Sequence, residues 1–498
     1  MPPVQTVPVS ALQTRLLING EWVDGLAKGE IEVVNPYTGQ PIARVAEARK
    51  EDVDLAVAAA KAAAPAWAAL AAHERGRLLL KLADAIEQDG ERLARLEAMN
   101  TGHPIRDCRS LDVPRTVLCF RYFGGMADKF EGTAPPVDAG FLNYVLREPI
   151  GVVGQIVPWN FPLMFTSWKL GPALAAGNTV VMKPSEITPL STLRIGELML
   201  EVGIPPGVVN IVTGYGHTAG QRIADHPGIG KVSFTGSTAT GRRIVQASAG
   251  NLKKLQLELG GKGPNIVFED ADLGAAVAGS AFAIFHNQGQ ACIAGSRLIL
   301  QESIADAFLD RFSALARSIR LGDPLDPETE MGPLTSRVHY ERVLQYVEVA
   351  KAEGGEIVCG GRPPAGKELQ AGFFIEPTIV RAAPSHRVSR EEVFGPFVTA
   401  CTFKDEAEAI AIANDTAYGL GAGLWTRDLS RAHRTAKALH AGMVWINSYK
   451  RVHPASPFGG VGESGYGREM GFDAMREYTQ AKSVWVNVDA KLAPFYAR

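Results

Sequence analysis

A chain of 498 residues is too long for one hydrophobic core, so two or three domains are expected. Hydrophobic residues make up 46% and charged residues 21%, a globular balance that excludes extended disorder. A formal net charge of −2 leaves no basic field to draw in nucleic acid or an acidic membrane, so neither is expected as a partner.

The amino terminus, Met1-Pro2-Pro3-Val4-Gln5-Thr6, lacks a basic region followed by an apolar one, and no secretory signal is read there. The Ala-rich run from Ala56 to Ala72 carries Lys61 and Pro65 and is not read as a membrane span. Five cysteines, at 108, 119, 292, 359 and 401, form no C-x-x-C pair and no metal-like group with histidine. Free thiols, no metal and a cytoplasmic location are the expectation.

In chain order, residues 1–50 read as short strands and turns, with Asn19-Gly20 and Thr38-Gly39 as turn signals. Glu51 to Ala72 reads as an Ala-rich helix. Glu74 to Asn100 reads as a second long helix, with Leu78, Leu79, Leu82, Ile86, Leu93 and Leu96 at helical spacing and a stop at Asn100-Thr101-Gly102. Strand-like segments from Gly140 to Val157 are broken at Glu148-Pro149 and end at Pro158-Trp159-Asn160-Phe161-Pro162. A helix from Leu163 to Ala176, strand 179–182, a helix from Ser191 to Val202, strand 208–212 and strand 231–234 follow. This β-α-β-α alternation predicts an α/β fold with a doubly wound parallel sheet, in which ligands bind beyond the carboxyl ends of the strands.

Leu255 to Leu259 alternates like a strand and breaks at Gly260-Gly261. From about 262 to 445 a second α/β pattern runs, with helices 303–319, 339–353 and 405–413 and strands 355–359, 397–403 and 442–446. The tail from Lys482 to Val488 reads as one exposed strand, suited to joining another sheet, often another subunit's.

The chemistry centres on Gly289-Gln290-Ala291-Cys292-Ile293-Ala294-Gly295. An Ala-rich helix from Ala275 to Phe285 precedes it and a strand, Leu298 to Leu300, follows, so Cys292 falls in a connection with free backbone N–H groups. A thiol nucleophile needs that setting, although an isolated cysteine is more often a small buried hydrophobe. Glu258, at an apolar strand end before two glycines, is partly desolvated in this reading and could act as a base; a solvent-facing glutamate is the competing reading. Asn160, held between prolines, could donate to an oxyanion or simply form a turn. Lys183 and Glu186 follow a strand, where they could hold a ribose, and the carboxylate would repel a 2′-phosphate. Gly236 to Gly241 opens a helix after a strand, where a pyrophosphate could sit. The one G-x-G-x-x-G run, Gly460 to Gly465, follows no clear strand and reads as a turn-rich loop.

These segments occur in one order. Pro158-Trp159-Asn160-Phe161-Pro162, Lys183-Pro184-Ser185-Glu186 and Phe234-Thr235-Gly236-Ser237-Thr238 come first. Leu257-Glu258-Leu259-Gly260-Gly261-Lys262, Gly289-Gln290-Ala291-Cys292, Glu391-Glu392-Val393-Phe394-Gly395-Pro396 and Ser456-Pro457-Phe458-Gly459-Gly460 follow. Together they resemble the NAD(P)-dependent aldehyde dehydrogenase superfamily from about residue 15 to the carboxyl end.

The resemblance implies that Cys292 attacks an aldehyde and that Asn160 and the Cys292 N–H stabilise the oxyanion. Hydride then passes to a nicotinamide, and Glu258 activates the water that hydrolyses the thioester. Lys169 and Glu469 match proton-relay positions. It places the cofactor on Ile156, Pro158, Trp159, Lys183, Ser185, Glu186, Gly216, Gly220, Phe234, Thr235, Gly236, Ser237, Leu259, Gly260, Glu392 and Phe394. NAD is favoured over NADP by Glu186. Residues 1–127 and 149–258 would form the cofactor domain and 259–447 the catalytic domain. Residues 128–148 and 470–498 would form an oligomerisation element, in a homodimer or homotetramer.

Phe161, Phe165, Trp168, Ile293 and Val452 match positions lining the family's substrate tunnel, which favours an apolar or aromatic aldehyde. Lys450-Arg451-Val452-His453 falls at the tunnel mouth, with Arg115 placed nearby. Its cations either greet a carboxylated aldehyde or form a solvated basic loop. A CoA-acylating semialdehyde dehydrogenase and a non-enzymatic relative are the rival readings. The first is opposed by Glu258, the second by the presence of Cys292, Glu258 and Asn160 together.

Overall fold

The β-branched segments between residues 152 and 258 pair side by side in a computed structural model that describes residues 12–491 and Tyr496. The amino-terminal stretch read as lacking a signal, and most of the last seven residues of the predicted oligomerisation element, lie outside the described residues. The first sheet has the order Glu21–Val23, Leu16–Ile18, Val209–Ile211, Thr179–Lys183, Val152–Ile156, Lys231–Thr235, Lys254–Glu258, Gly465–Tyr466. Its five middle strands are parallel, and the outer ones run antiparallel. Being parallel, the five share one carboxyl-terminal edge. The register sets Glu258 beside Thr235, and Ile156 between Lys183 and Phe234.

The helix Lys50–Ala69 buries Val53, Ala56, Val57 and Ala60, a stripe at helical spacing. Among the described residues no single helix is long and apolar enough to cross a membrane. The long helix expected from Glu74 to Asn100 is two helices, Ala72–Gln88 and Gly90–Thr101. The chain turns at Asp89, whose carboxylate accepts a hydrogen bond from Arg194 at 2.8 Å. The leucine spacing runs through this Asp-Gly break, which hid it.

The second sheet has the order Glu356–Cys359, Thr378–Arg381, Phe397–Phe403, Arg297–Gln301, Pro264–Val267, Gly421–Trp425, Met443–Ile446. Only its first pair is antiparallel. Three of these strands, Pro264–Val267, Thr378–Arg381 and Gly421–Trp425, are short and were not read from the sequence. The last of them is interrupted by Gly423. The α/β class with two parallel sheets is as expected.

Two readings change. The tail strand is not unpaired: Thr479–Asn487 lies antiparallel to Phe141–Pro149 as a two-stranded ribbon within the chain. The Gly460–Gly465 loop, set aside as turns, is a tie. Gly465 pairs with Glu258, Val461–Gly462 pairs with Tyr418–Gly419, and the Ser464 carbonyl accepts the Leu259 N–H at 3.0 Å. It is not a dinucleotide loop, because no strand-to-helix turn surrounds it.

Candidate active site

Cys292 is presented by a connection whose backbone is forced. After the helix Leu273–Phe285 the chain takes the left-handed region at Asn287, Gln288 and Gly289, with φ of 53°, 54° and 71°. Two of these are not glycine, a strain that persists only where surroundings over-determine it. Here side-chain amides do so. Asn287 Nδ2 donates to the Asn160 carbonyl at 2.8 Å, Gln288 Nε2 to Gly102 O at 2.6 Å, and Gln290 Oε1 accepts the Thr335 N–H at 3.0 Å. Gly289 must be glycine, since a side chain would run into the Gly395 carbonyl.

The Cys292 thiol is partly buried and packs against the main core. Burial pushes it well above the usual thiol range, Glu392 and Glu258 add to this, and the Ile293 and Cys292 amides oppose it. It is therefore a thiol at rest and needs a base.

Glu258 ends the strand Lys254–Glu258 and is 1% exposed. The sequence suggested partial desolvation; the antiparallel Gly465–Tyr466 strand closes the sheet edge and makes it complete. Neither carboxyl oxygen has a hydrogen-bond partner among the described residues. Burial raises its pKa well above the carboxylate range, Glu469 raises it further, and Lys169 and Arg468 pull it down. Lys169 and Glu469 form a fully buried ion pair at 2.5 Å, and Lys169 also donates to Ser233 Oγ at 2.9 Å. The sequence motifs placed this pair together, and the structure sets it within the electrostatic reach of Glu258. Asn160 is 4% exposed, and its Nδ2 donates to Gln290 O at 2.9 Å. One N–H remains for another acceptor.

Two cavities meet at Cys292. One, of about 500 Å3, is lined by Pro158, Trp159, Asn160, Thr235, Gly236, Ser237, Glu258, Leu259, Gly260, Glu392 and Phe394. Glu392 accepts the Gly261 N–H at 2.8 Å, and burial raises its pKa to about 7. A side chain at Gly260 would collide with the Glu392 carboxylate. Ser237 caps the helix Thr238–Ser248, turning that helix's amino end toward the cavity wall that Gly236 and Ser237 form.

Farther along the same sheet edge, Lys183 is 2% exposed. It donates to Pro184 O at 2.8 Å, Gly214 O at 2.9 Å and Glu186 at 3.1 Å, so all three ammonium hydrogens are engaged. A Cβ on Gly220 would sit 3.5 Å from Lys183, and Gly216 begins the turn that leads there. Ile156, Ser185 and Phe234 are buried around these strand ends.

Sequence reasoning missed Ser336, His339 and Arg342, at the start of the helix Arg337–Ala352. His339 Nε2 lies 2.6 Å from the Phe394 carbonyl and its ring is 5.0 Å from Trp159. Arg342 donates to Glu392 O at 3.1 Å. Together they fix the Glu392–Phe394 segment, where Phe394 has φ of 64°. A Ser336 cap ahead of a helical run was the available signal.

The second cavity is a narrow slit of about 30 Å3. Phe161, Phe165, Trp168, Ile293 and Val452, all five expected tunnel residues, line it with Phe458. Arg115, His286 and Lys450 line it as well. Arg451 and His453 face solvent, so the solvated-loop reading holds for them and fails for Lys450, which is 4% exposed.

Behind His286 the fold gathers what the sequence scatters. His103, Cys108 and Asp112, and His103, Asp107 and His286, form two groups whose ligand atoms lie within 4.8 Å of one another. The expectation of no cysteine–histidine cluster is corrected there. His103 Nδ1 lies 2.6 Å from Asp112, a buried pair that accounts for the first group without an ion.

Cys292 thus lies between a roomy cavity at the strand ends and an aromatic slit, a thiol open on both sides. A model described as the aldehyde dehydrogenase family matches residues 22–484. The human mitochondrial aldehyde dehydrogenase is 46% identical over 96% of this chain and 92% of its own length. PnpE from Pseudomonas sp. WBC-3, solved in complex with nicotinamide adenine dinucleotide, is 69% identical with a TM-score of 0.97 over 98% of this chain and 100% of that one. A structure of an aldehyde dehydrogenase from Burkholderia cenocepacia gives the same identity, TM-score and coverage. The chain belongs to the aldehyde dehydrogenase family and is an enzyme of that kind.

Proposed function

We propose that the protein oxidises an aldehyde to the carboxylic acid by hydrolysis of a Cys292 thioester, with NAD as oxidant. The carrying observation is that, among the described residues, Cys292 alone lines both cavities, with Glu258 on the roomy side. Sγ bonds to the formyl carbon as the thiol proton leaves toward the Glu258 carboxylate. The oxygen becomes an oxyanion within reach of Asn160 Nδ2 and the Cys292 N–H. A bound nicotinamide supplies acceptance of the hydride. Glu258 releases the thiol proton to solvent as the thioester forms, then takes a proton from the water that adds to the thioester carbonyl and passes it to the departing sulfur, so that Cys292 leaves as the thiol. Lys169 and Glu469 hold the charge beside Glu258 while it gains and loses that proton.

The residues fit a dinucleotide. Gly260 leaves the Glu392 carboxylate open to a ribose, Gly236 and Ser237 offer backbone at a helix amino end, and Glu186 disfavours a 2′-phosphate. NADH formation from a panel of aldehydes, with and without CoA, tests the reading. Turnover without CoA is expected, and turnover only with CoA overturns the hydrolytic step and the role of Glu258.

The ribbon of Phe141–Pro149 and Thr479–Asn487 exposes Leu142, Leu146 and Trp485, which suits burial against a second copy. A homodimer or homotetramer joined there is expected to loosen in Trp485→Glu, read as a smaller mass by light scattering. An unchanged mass removes the ribbon from the interface.

A further inference from the structure

The slit beside Cys292 holds two basic side chains with no counter-ion among the described residues. Lys450 is buried, yet its ammonium has one protein acceptor, the His286 carbonyl at 3.5 Å, and the Phe282 ring at 5.9 Å. Arg115 is half-buried and makes no hydrogen bond or ion pair among the described residues. Asp112, whose field reaches Arg115, is already paired with His103 at 2.6 Å. His286 is no counter-charge either. Both its ring nitrogens are unpartnered, and burial with His103, Lys450 and Arg115 nearby keeps it neutral.

Lys450, held out of water beside the half-buried Arg115, forgoes hydration and is repelled by its neighbour when charged. Lys450 is also placed by a left-handed backbone, φ 55°, a conformation that a non-glycine residue adopts at a cost. Burial brings Lys450 down to about 7, Cys292 opposing and Arg115 adding. An anion in the slit would restore its charge. Of the remaining walls, Phe161, Phe165, Trp168, Phe282 and Phe458 are aromatic and Met164, Ala291, Ile293 and Val452 aliphatic, a mostly aromatic lining that suits a flat, apolar skeleton.

We propose that the substrate is a flat aldehyde bearing a carboxylate away from its formyl group, and that Arg115 and Lys450 bind that carboxylate. The inference rests on the aldehyde dehydrogenase reading and names its substrate class. A guanidinium and an ammonium converging on one carboxylate give charge-assisted hydrogen bonds that a neutral analogue cannot make.

The experiment compares 4-formylbenzoate with its methyl ester and with benzaldehyde. The kcat/KM ratio of acid to ester is expected at ~10 to 100 in the native enzyme, the size of one hydrogen bond to a charged group. The ratio is expected to fall toward one in Arg115→Gln and Lys450→Gln. Because it is taken within each protein, a general loss of activity does not move it. A native ratio near one, with benzaldehyde still oxidised, overturns the inference and leaves the enzyme reading standing.

Calorimetry of 4-(hydroxymethyl)benzoate against 4-methylbenzyl alcohol needs no turnover. Tighter binding of the acid in the native protein, lost in both variants, supports the carboxylate site even if no aldehyde is oxidised. Equal binding overturns it.

Discussion

The two cavities that meet at Cys292 are built in opposite ways. The roomy one is made of backbone at strand ends, glycines and a helix cap, drawn from motifs whose parts lie close in sequence. The slit is made of side chains from four distant segments, with Arg115, Phe165, Ile293 and Lys450 each on a different one. Backbone cradles suit a ligand that many relatives share, while side-chain walls can change one residue at a time. The chemistry is thus carried by the part that is hard to alter, and selectivity by the part that is easy to alter.

Removing the shared point should break both sides at once. Cys292→Ala is expected to lose ~10^4-fold or more in kcat, as loss of a nucleophile does, and residual turnover near the native rate would move the nucleophile elsewhere. Glu258→Gln tests both of its roles. A loss of ~10^2 to 10^4-fold in steady-state rate is expected, with the first turnover of NADH slowed as well because Glu258 takes the thiol proton before it serves the water; a first turnover at native speed would assign thiol activation to another group. Since burial raises Glu258, native kcat should climb with pH as the carboxyl loses its proton, and the variant should be flat. A variant profile that still climbs assigns the titration to another group.

The buried Lys169–Glu469 pair gives a smaller, structural effect. Lys169→Met leaves an unpaired buried carboxylate and should cost ~3 to 5 kcal/mol in denaturant unfolding. Adding Glu469→Leu should return most of it; no recovery would show that Ser233 and not the pair carries the energy. The smallest effect lies at the cofactor. In the proposed binding mode ribose hydroxyls donate to the charged form of Glu392, whose pKa is raised to about 7, so NAD should bind more tightly as pH rises through that value. Glu392→Gln should remove this slope and weaken NAD by ~10-fold, measured by fluorescence titration. A slope that survives excludes Glu392 as its source.

The cofactor side was legible because its signals are local. A β-branched run, a glycine and a polar residue at its carboxyl end specify strand, turn and helix start within a few positions, as at Phe234 to Ser237. Pairing Glu258 with Cys292 needed only their motifs. Arg115 and Lys450 were visible as basic residues, but whether they were solvated or buried depended on packing. Arg115 sits on the helix Val113–Met126, entered through a π-turn that no periodicity announces. Lys450 alternates with solvent-facing Arg451, so composition gave the loop one character where the fold gives it two. The Gly460–Gly465 loop was misjudged for a related reason. Its strands are two residues long and exist only because Glu258 and Tyr418 supply their partners.

That same short strand has a bearing on how the protein comes into being. Synthesis delivers Cys292 and Glu258 well before Phe458, Gly465 and Glu469, the residues that wall the slit, seal the sheet edge and complete the buried pair. A nascent chain therefore carries Glu258 on an open sheet edge, and Cys292 beside an unfinished slit, until its final segment emerges. Domains tend to settle in the order they are made. Here the closing step belongs to the last-made piece, so catalytic competence arrives late and all at once, and a chain stopped short of Gly465 would be left with its sheet edge open.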